Sequence, residues 1–488
     1  MPKNKHPIES YFNRLSCYHY YCFTILFFTK IPMYWHIMDL IFLSPPMKYE
    51  CEPKDNGTKA VCPCESPKWN KTVFTKTVQT KFNIVCDRVW LISFSQSMLF
   101  VGTLIGSLLF GFMSDRYGRL SMFSISTFSL GVSGCLVSIM PTPAAYIFMR
   151  CLEGVGIGGA IVTGYVLVVE YCGTRYRDTV TALYHLPLNI GHITLAGVSY
   201  LLRDCDWFHL ALSLPVFLSV LTRWLLFESP KWLMDSEQID KAADVMQKIT
   251  RFNGDKTSSS EAIKAKLEDY FAAQNINLHK KLSFWQIFRH KKLSSNLLCM
   301  AGIYFFCGMG YYGVCQYIGN MSGNIHINVA VSGLLLIPGT IITMFLLRLM
   351  SRRMFLIATN LLSGVFMIAV ICIPSNLKFV RIVVACFGNT FFFMSFIIVF
   401  LYSVELFPTA VRNSVLGFLS VLARVGQIAA PPINALDSVA AGAIFGVSAM
   451  LGAVMCYPLP ETKDTELPST LEDSETLPKG KIHLSRGE

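Results

Sequence analysis

Charge is scarce in this chain. Of 488 residues only 15% are Asp, Glu, Lys or Arg while 53% are hydrophobic, against roughly a quarter charged in ordinary soluble domains. That shortage excludes a water-soluble globule. No Gly-x-x-x-x-Gly-Lys-Ser/Thr loop occurs to cradle a nucleotide phosphate, so nothing points to an ATP-driven pump. Neither a Gly-x-Ser-x-Gly elbow nor a metal-ligand spacing is present, and an enzyme, a cofactor and a bound metal all lack residues to carry them. The formal net charge is +11, but the excess is dispersed over loops and forms no stripe on a foldable soluble domain, which argues against a nucleic-acid partner.

What the chain has in quantity is long apolar runs. They are about 18 to 25 residues long, enough for a helix to cross a hydrocarbon core about 30 Å thick. They are continuous rather than alternating, which excludes a transmembrane barrel. Blocks fall near 19–43, 89–112, 121–140, 144–168, 179–202 and 208–227, then near 295–317, 329–349, 354–374, 379–402, 414–435 and 439–457. The expected fold is an all-α membrane protein of twelve transmembrane helices in two six-helix halves. The halves are 19–227 and 295–457, joined by a connector over 228–294 and flanked by an N-terminus 1–18 and a tail 458–488. Lys30, Pro32, His36 and Asp39 interrupt the first block, making it the least apolar. Basic residues precede it as in a signal peptide, but no small-residue cleavage pattern follows, so it reads as a retained span.

Short loops on one side carry Arg116 and Arg119, Arg175 and Arg177, Arg348, Arg352 and Arg353, and Arg412, whereas the opposite short loops carry little beyond Arg203 and Lys378. Basic residues near span ends stay in the cytoplasm, so both termini are expected inside and the segment 44–88 outside. That segment holds the sequons Asn56-Gly-Thr58 and Asn70-Lys-Thr72, and Asn320-Met-Ser322 falls in another expected outside loop. Cys51, Cys62, Cys64 and Cys86 lie in the same segment and read as two disulfides, with three pairings open. The other twelve cysteines read as small buried hydrophobes. In the connector, Ile239, Ala243, Met246 and Ile249 share a helical face, and Leu282, Phe284, Trp285, Ile287 and Phe288 beside basic residues suggest an interfacial helix. The acidic, Ser/Thr/Pro-rich stretch from Leu459 is expected to be disordered.

The halves repeat each other. Gly111-Phe-Met-Ser-Asp115-Arg116-Tyr-Gly118-Arg119 follows the second block, and Arg348-Leu-Met-Ser-Arg352-Arg353 the eighth. Glu170 precedes Arg177 by the same seven residues that separate Glu405 from Arg412; Glu170 and Glu405 lie 235 apart, Arg119 and Arg353 234. Two homologous halves suit a rocking, alternating-access transporter. Asp115, Arg116, Arg119, Glu170, Arg177, Arg352, Arg353, Glu405 and Arg412 are then expected to form a gate latch whose charges pair across the halves in one state and part in the other.

The loop Gly111–Arg119 resembles the signature of the major facilitator superfamily. Phe82-Asn-Ile-Val-Cys86-Asp87-Arg-Val-Trp90, Glu228-Ser-Pro-Lys-Trp-Leu233, Tyr402-Ser-Val-Glu405-Leu-Phe-Pro408-Thr409 with Arg412-Asn413, and Leu459-Pro-Glu-Thr462 are similar to the organic ion transporter family, solute carrier family twenty-two. The resemblance implies a multi-pass plasma-membrane carrier of small organic ions, bound between the halves and driven by a coupling or exchange ion.

A charge inside a span is a functional candidate by default. Arg424, within Leu422-Ala-Arg424-Val-Gly426, presents a guanidinium fork suited to a carboxylate or sulfate. Relatives that carry organic cations typically have an acid here, and carriers of anions or carnitine-type zwitterions an arginine, so the resemblance implies an anionic group on the substrate. Tyr311, Tyr312 and Phe396 are expected to supply pocket aromatics, with Asn189 and His192 as polar lining. Thr340 stands near Pro338, where some anion carriers have a lysine. Asp39 with Arg424 would suit a zwitterion, while Arg150 and Glu153, at helical spacing, read as a structural pair. The alternatives are a cation or amine carrier using Asp39 or Glu153, and a transport-silent surface receptor or scaffold.

Overall fold

The computed structural model describes residues 15–51, 62, 64, 67–172, 176, 180, 183–254, 260–275, 284–374, 376–408 and 411–463. Helices stand at all twelve expected positions. In the first half they are α1 (Cys17–Met38), α2 (Trp90–Tyr117), α3 (Arg119–Ile139), α4 (Pro143–Tyr171), α5 (Leu186–Leu201) and α6 (Cys205–Leu225), the last broken around Pro215 and Leu221. The connector forms α7 (Pro230–Asp235), α8 (Ile239–Phe252) and α9 (Ser260–Asn275). The second half contains α10 (Lys291–Asn320), α11 (Ile325–Leu349), α12 (Arg352–Cys372), α13 (Lys378–Leu406), α14 (Arg412–Asn434) and α15 (Ser438–Cys456).

Ten of these are long and apolar enough to cross a membrane, by length and composition, among the described residues. They do not include α1 and α5. The α1 helix carries the buried polar side chains His19, Lys30, His36 and, at its C-cap, Asp39, which lower its hydropathy without breaking it; even Pro32 sits inside the helix. The 16 described residues of α5 rise about 24 Å, short of a hydrocarbon core of about 30 Å.

Helix starts follow local chemistry. Thr142 caps α4 by accepting the Ala145 N–H at 3.3 Å with Pro143 next in line, and Asp437 caps α15 through Val439 and Ala440. The α2–α3 break falls at Gly118, whose φ of 102° suits glycine.

The chain separates into two compact units: residues 1–86, 98–191 and 198–280, and residues 87–97, 192–197 and 281–488. In the first, α3 packs along α4 and α6 lies on α3. Gly102 and Gly106 of α2 face backbone at Cys151 and Val155 of α4, while Gly154 and Gly158 face Leu99 and Thr103 in return; a Cβ at any of the four would strike a carbonyl oxygen. This is the small-residue packing that lets membrane helices approach closely. The second unit uses the same device between α10 and α14, where Gly308 faces Ala423 and Gly426 faces Phe305.

The connector as far as Lys280 belongs to the first unit. Its α8 buries Ala243, Met246 and Ile249 on the expected face, and Asn253 just beyond it accepts the Tyr18 N–H at 3.0 Å, tying it to α1. Two expectations need correction. The interfacial helix is a 3-10 turn, Phe284–Arg289, with Ile287 fully buried against α10 and Phe288 exposed; Leu282 lies outside the described residues. The tail is ordered at its start. Leu459 is buried, the Pro460 carbonyl accepts from the Tyr402 hydroxyl, and Glu461 and Thr462 bind α12 and α13. Residues 464–488 lie outside the described residues.

Candidate functional site

In the segment 44–88, β1 (Tyr49–Cys51) pairs antiparallel with β2 (Pro67–Trp69). Cys51 is bonded to Cys64 and Cys62 to Cys86, one of the three arrangements the sequence leaves open. Asn70 and Asn320 are exposed, and Asn56 lies outside the described residues. Lys76 and Lys81 both hold Asp206 at the start of α6, Lys81 at 2.7 Å. Its hydrogen bond to Asp206 raises the Lys76 ammonium above the ordinary lysine range.

The signature loop between α2 and α3 is closed by another motif. The Leu120 N–H donates to Glu228 Oε1 at 2.9 Å and the Trp232 indole donates to the Asp115 carbonyl at 2.8 Å, so Glu228-Ser-Pro-Lys-Trp clamps Gly111–Arg119. Arg119 bridges Asp115 and, through Nε at 3.1 Å, Glu170. The second half repeats the construction. Arg352 Nε lies 3.3 Å from Glu405, and Glu461 accepts the Arg352 and Arg353 N–H groups at 2.8 and 3.2 Å. The residue equivalent to Arg119 is therefore Arg352; the register that aligned Arg353 is one residue off. Arg353 instead lies over the Tyr457 ring, and Arg116 over that of Tyr117. Arg412 Nε donates to the Phe407 carbonyl at 3.1 Å, and Arg177 lies outside the described residues. Each of these pairs lies within one of the two units.

In the second unit the predicted aromatics come together. Tyr311 and Tyr312 meet edge to face at 4.9 Å, Phe396 stacks on Tyr311 at 5.7 Å, and Phe396 meets Tyr312 at 6.2 Å. Gly310, against Phe392, permits this approach of α10 to α13. Arg424 belongs to the same group, its guanidinium acting electrostatically on Tyr312. Arg424 is only 8% exposed, yet it makes no hydrogen bond or ion pair with any described residue, and its buried Nε has no partner among them. A buried cation left so is electrostatically costly unless a ligand or water answers it. His192 is fully buried against Gly333 of α11; Asn189 is also fully buried. Thr340 donates to the Leu336 carbonyl at 2.9 Å within its own helix.

Asp39 is neither solvated nor vacant. It is fully buried, and Arg150 binds both its oxygens, at 2.7 and 2.8 Å. Arg150 also reaches Glu153 at 3.1 Å, and Glu153 in turn meets His36 Nδ1 at 2.6 Å. His209 of α6 completes the group, its Nε2 3.4 Å from Glu153. The sequence reading missed both histidines and found no ligand-type cluster, because the five residues come from α1, α4 and α6 at separations no local spacing rule covers. The one available signal was polarity inside apolar blocks.

Apolar spans, two similarly clamped halves and a buried, unanswered cation beside aromatic rings define a membrane transporter of the major facilitator type. The model of the sugar (and other) transporter family matches residues 55–470, and the chain belongs to that family and, within it, to solute carrier family 22. It is 30% identical over 432 residues to the rat protein solute carrier family 22 member 3, covering 88% of this chain and 77% of that protein. It is 29% identical over 434 residues to the organic cation transporter protein of Drosophila melanogaster, covering 87% and 78%. Its backbone is similar to the inward-open xylose transporter XylE of E. coli, with a TM-score of 0.68 over 93% of this chain and 99% of that one at 16% identity, a likeness of fold alone.

Proposed function

We propose that the protein is a plasma-membrane secondary transporter of small organic anions or zwitterions bearing a carboxylate, working by alternating access with both termini cytoplasmic. The observation that carries the reading is Arg424: buried, always charged, without a partner among the described residues and beside Tyr311, Tyr312 and Phe396. A carboxylate would take the fork of the guanidinium and an organic body the rings. Arg119–Glu170 and Arg352–Glu405 serve as latch pairs that break and reform as the helix ends move.

A cation carrier is the second reading, favoured by the name of the Drosophila relative. It needs a free buried acid, and Asp39 and Glu153 are both engaged. The test is uptake of an organic anion, a quaternary ammonium and carnitine side by side, for wild type and Arg424→Ala at matched surface level. Anion or carnitine uptake lost in the variant supports the assignment. Quaternary ammonium uptake indifferent to Arg424 overturns it, and saturable uptake of any probe excludes a transport-silent receptor.

A further inference from the structure

The His36–Asp39–Arg150–Glu153–His209 group has more than a structural pair requires. All five side chains are buried, His209 at 1% exposure and the others at none. With neutral imidazoles the two carboxylates outnumber the one guanidinium, leaving a charge of −1 among buried side chains. One more positive charge makes the group neutral.

The geometry shows where that charge would sit. Arg150 occupies both oxygens of Asp39, so that pair is internally complete. Glu153 holds His36 Nδ1 at 2.6 Å through Oε1 and Arg150 through Oε2. His209 Nε2 points at the same Oε1 from 3.4 Å and at Asp39 Oδ2 from 3.7 Å. Yet neither ring nitrogen of His209 makes a hydrogen bond to a described residue, and His36 Nε2 has none either. An imidazole aimed at two carboxylates without bonding them is an open position for a proton. A divalent metal fits less well, because the guanidinium already covers Asp39 and would repel it. Among the described residues, Tyr146 of α4 and Cys205 and Asp206 at the start of α6 also lie near the site. Asp206 is itself neutralised by Lys76 and Lys81, so it adds little charge.

We infer that His209, with Glu153 and His36, is a proton-binding site within the first unit, and that transport is coupled to the movement of this proton. The inference rests on the transport reading and adds its driving ion. In the closed arrangement a proton taken from water sits on His209 and pairs with Glu153, and the group is neutral. When motion of α1 or α6 admits water, the same proton returns to it from the imidazole and Glu153 remains bound to His36 and Arg150. An O–H bond of hydronium breaks as the imidazole N–H forms, and the reverse happens on release; no other covalent bond changes.

The experiment uses the full chain in proteoliposomes with two probes of permanent charge, benzenesulfonate and tetraethylammonium, so that any pH dependence belongs to the protein. Uptake of whichever probe is carried is expected to change several-fold between about pH 6 and 8, where an imidazole changes charge. An imposed pH gradient should drive accumulation, with one proton moving per probe. His209→Gln should flatten the pH profile while leaving probe exchange at constant pH intact. Histidine titration by isotope-edited infrared spectroscopy supplies a readout independent of transport, in which the variant should lose one titrating imidazole. Wild-type uptake that is flat over this range and moves no protons overturns the inference, as does a titration unchanged in His209→Gln. Should the variant fail to reach the membrane, the wild-type proton flux decides alone. Which probe is carried tests the Arg424 reading separately, and if neither is carried the infrared titration still decides on the proton site.

Discussion

Arg424→Met separates a ligand-binding arginine from a structural one, because the two roles move stability in opposite directions. Methionine is nearly as long and as flexible, so packing between α10 and α14 loses little while the charge is removed. Removing one partner of a buried, hydrogen-bonded charge pair costs about 2–5 kcal/mol, so affinity for a carboxylate substrate should fall by about 30-fold to 4000-fold at about 1.4 kcal/mol per decade. Nothing offsets this in the free protein, because Arg424 has no described partner to which it could return. In the substrate-free state the same substitution deletes an unanswered buried cation and should hold or raise the melting temperature. An arginine serving as glue would instead leave its partner's group unpaired, at about 3–5 kcal/mol. The assay is uptake at matched surface expression together with thermal unfolding of the purified chain without substrate. A melting temperature lowered by several degrees with uptake intact would refute the reasoning.

Other expectations follow from the same contacts. Gly118→Ala should destabilise the first half by about 1–2 kcal/mol, because alanine resists positive φ and its Cβ would lie 2.5 Å from Glu228 Oε2; thermal unfolding checks it. Arg352→Gln should lower maximal uptake more than Arg353→Gln, since Arg352 alone of the two holds Glu405 with its side chain; equal effects would restore the one-residue shift in register. Gly426→Val should abolish surface expression by forcing α14 off Phe305 of α10, whereas Gly417→Val, with open space around it, should be tolerated. Asn70→Gln should sharpen and speed the band of the expressed protein on a gel if that exposed sequon carries a glycan, and glycosidase treatment of wild type should reproduce the shift.

The twelve apolar blocks, the doubled charged motifs and the family resemblance were all legible in the chain, because hydropathy, caps and short motifs are local properties. A span is long and apolar whatever it packs against, and Thr142 or Asp437 begins a helix through its own neighbours. Arg424 was legible for a related reason: a charge within an apolar block is conspicuous before any fold is known.

Partners were not legible, and partners decide what a polar side chain does. Asp39 read as a charge interrupting the first block and open to a substrate, but packing delivers it to Arg150, 111 residues away. His36 and His209 signalled only polarity inside apolar blocks, and their partner was not evident until α1, α4 and α6 met around Glu153. The one-residue error at Arg353 has the same origin, since which of two adjacent arginines faces Glu405 depends on how α12 is turned rather than on spacing alone. Likewise Leu459-Pro-Glu-Thr462 sits in an acidic, polar stretch whose composition favours disorder, yet α12 and α13 supply the donors and acceptors that hold it. Sequence by itself determined where the long apolar helices form and which charges accompany them. Tertiary structure decided which of those charges are satisfied, because inside a bilayer a polar group is answered by whatever packing brings within about 3 Å.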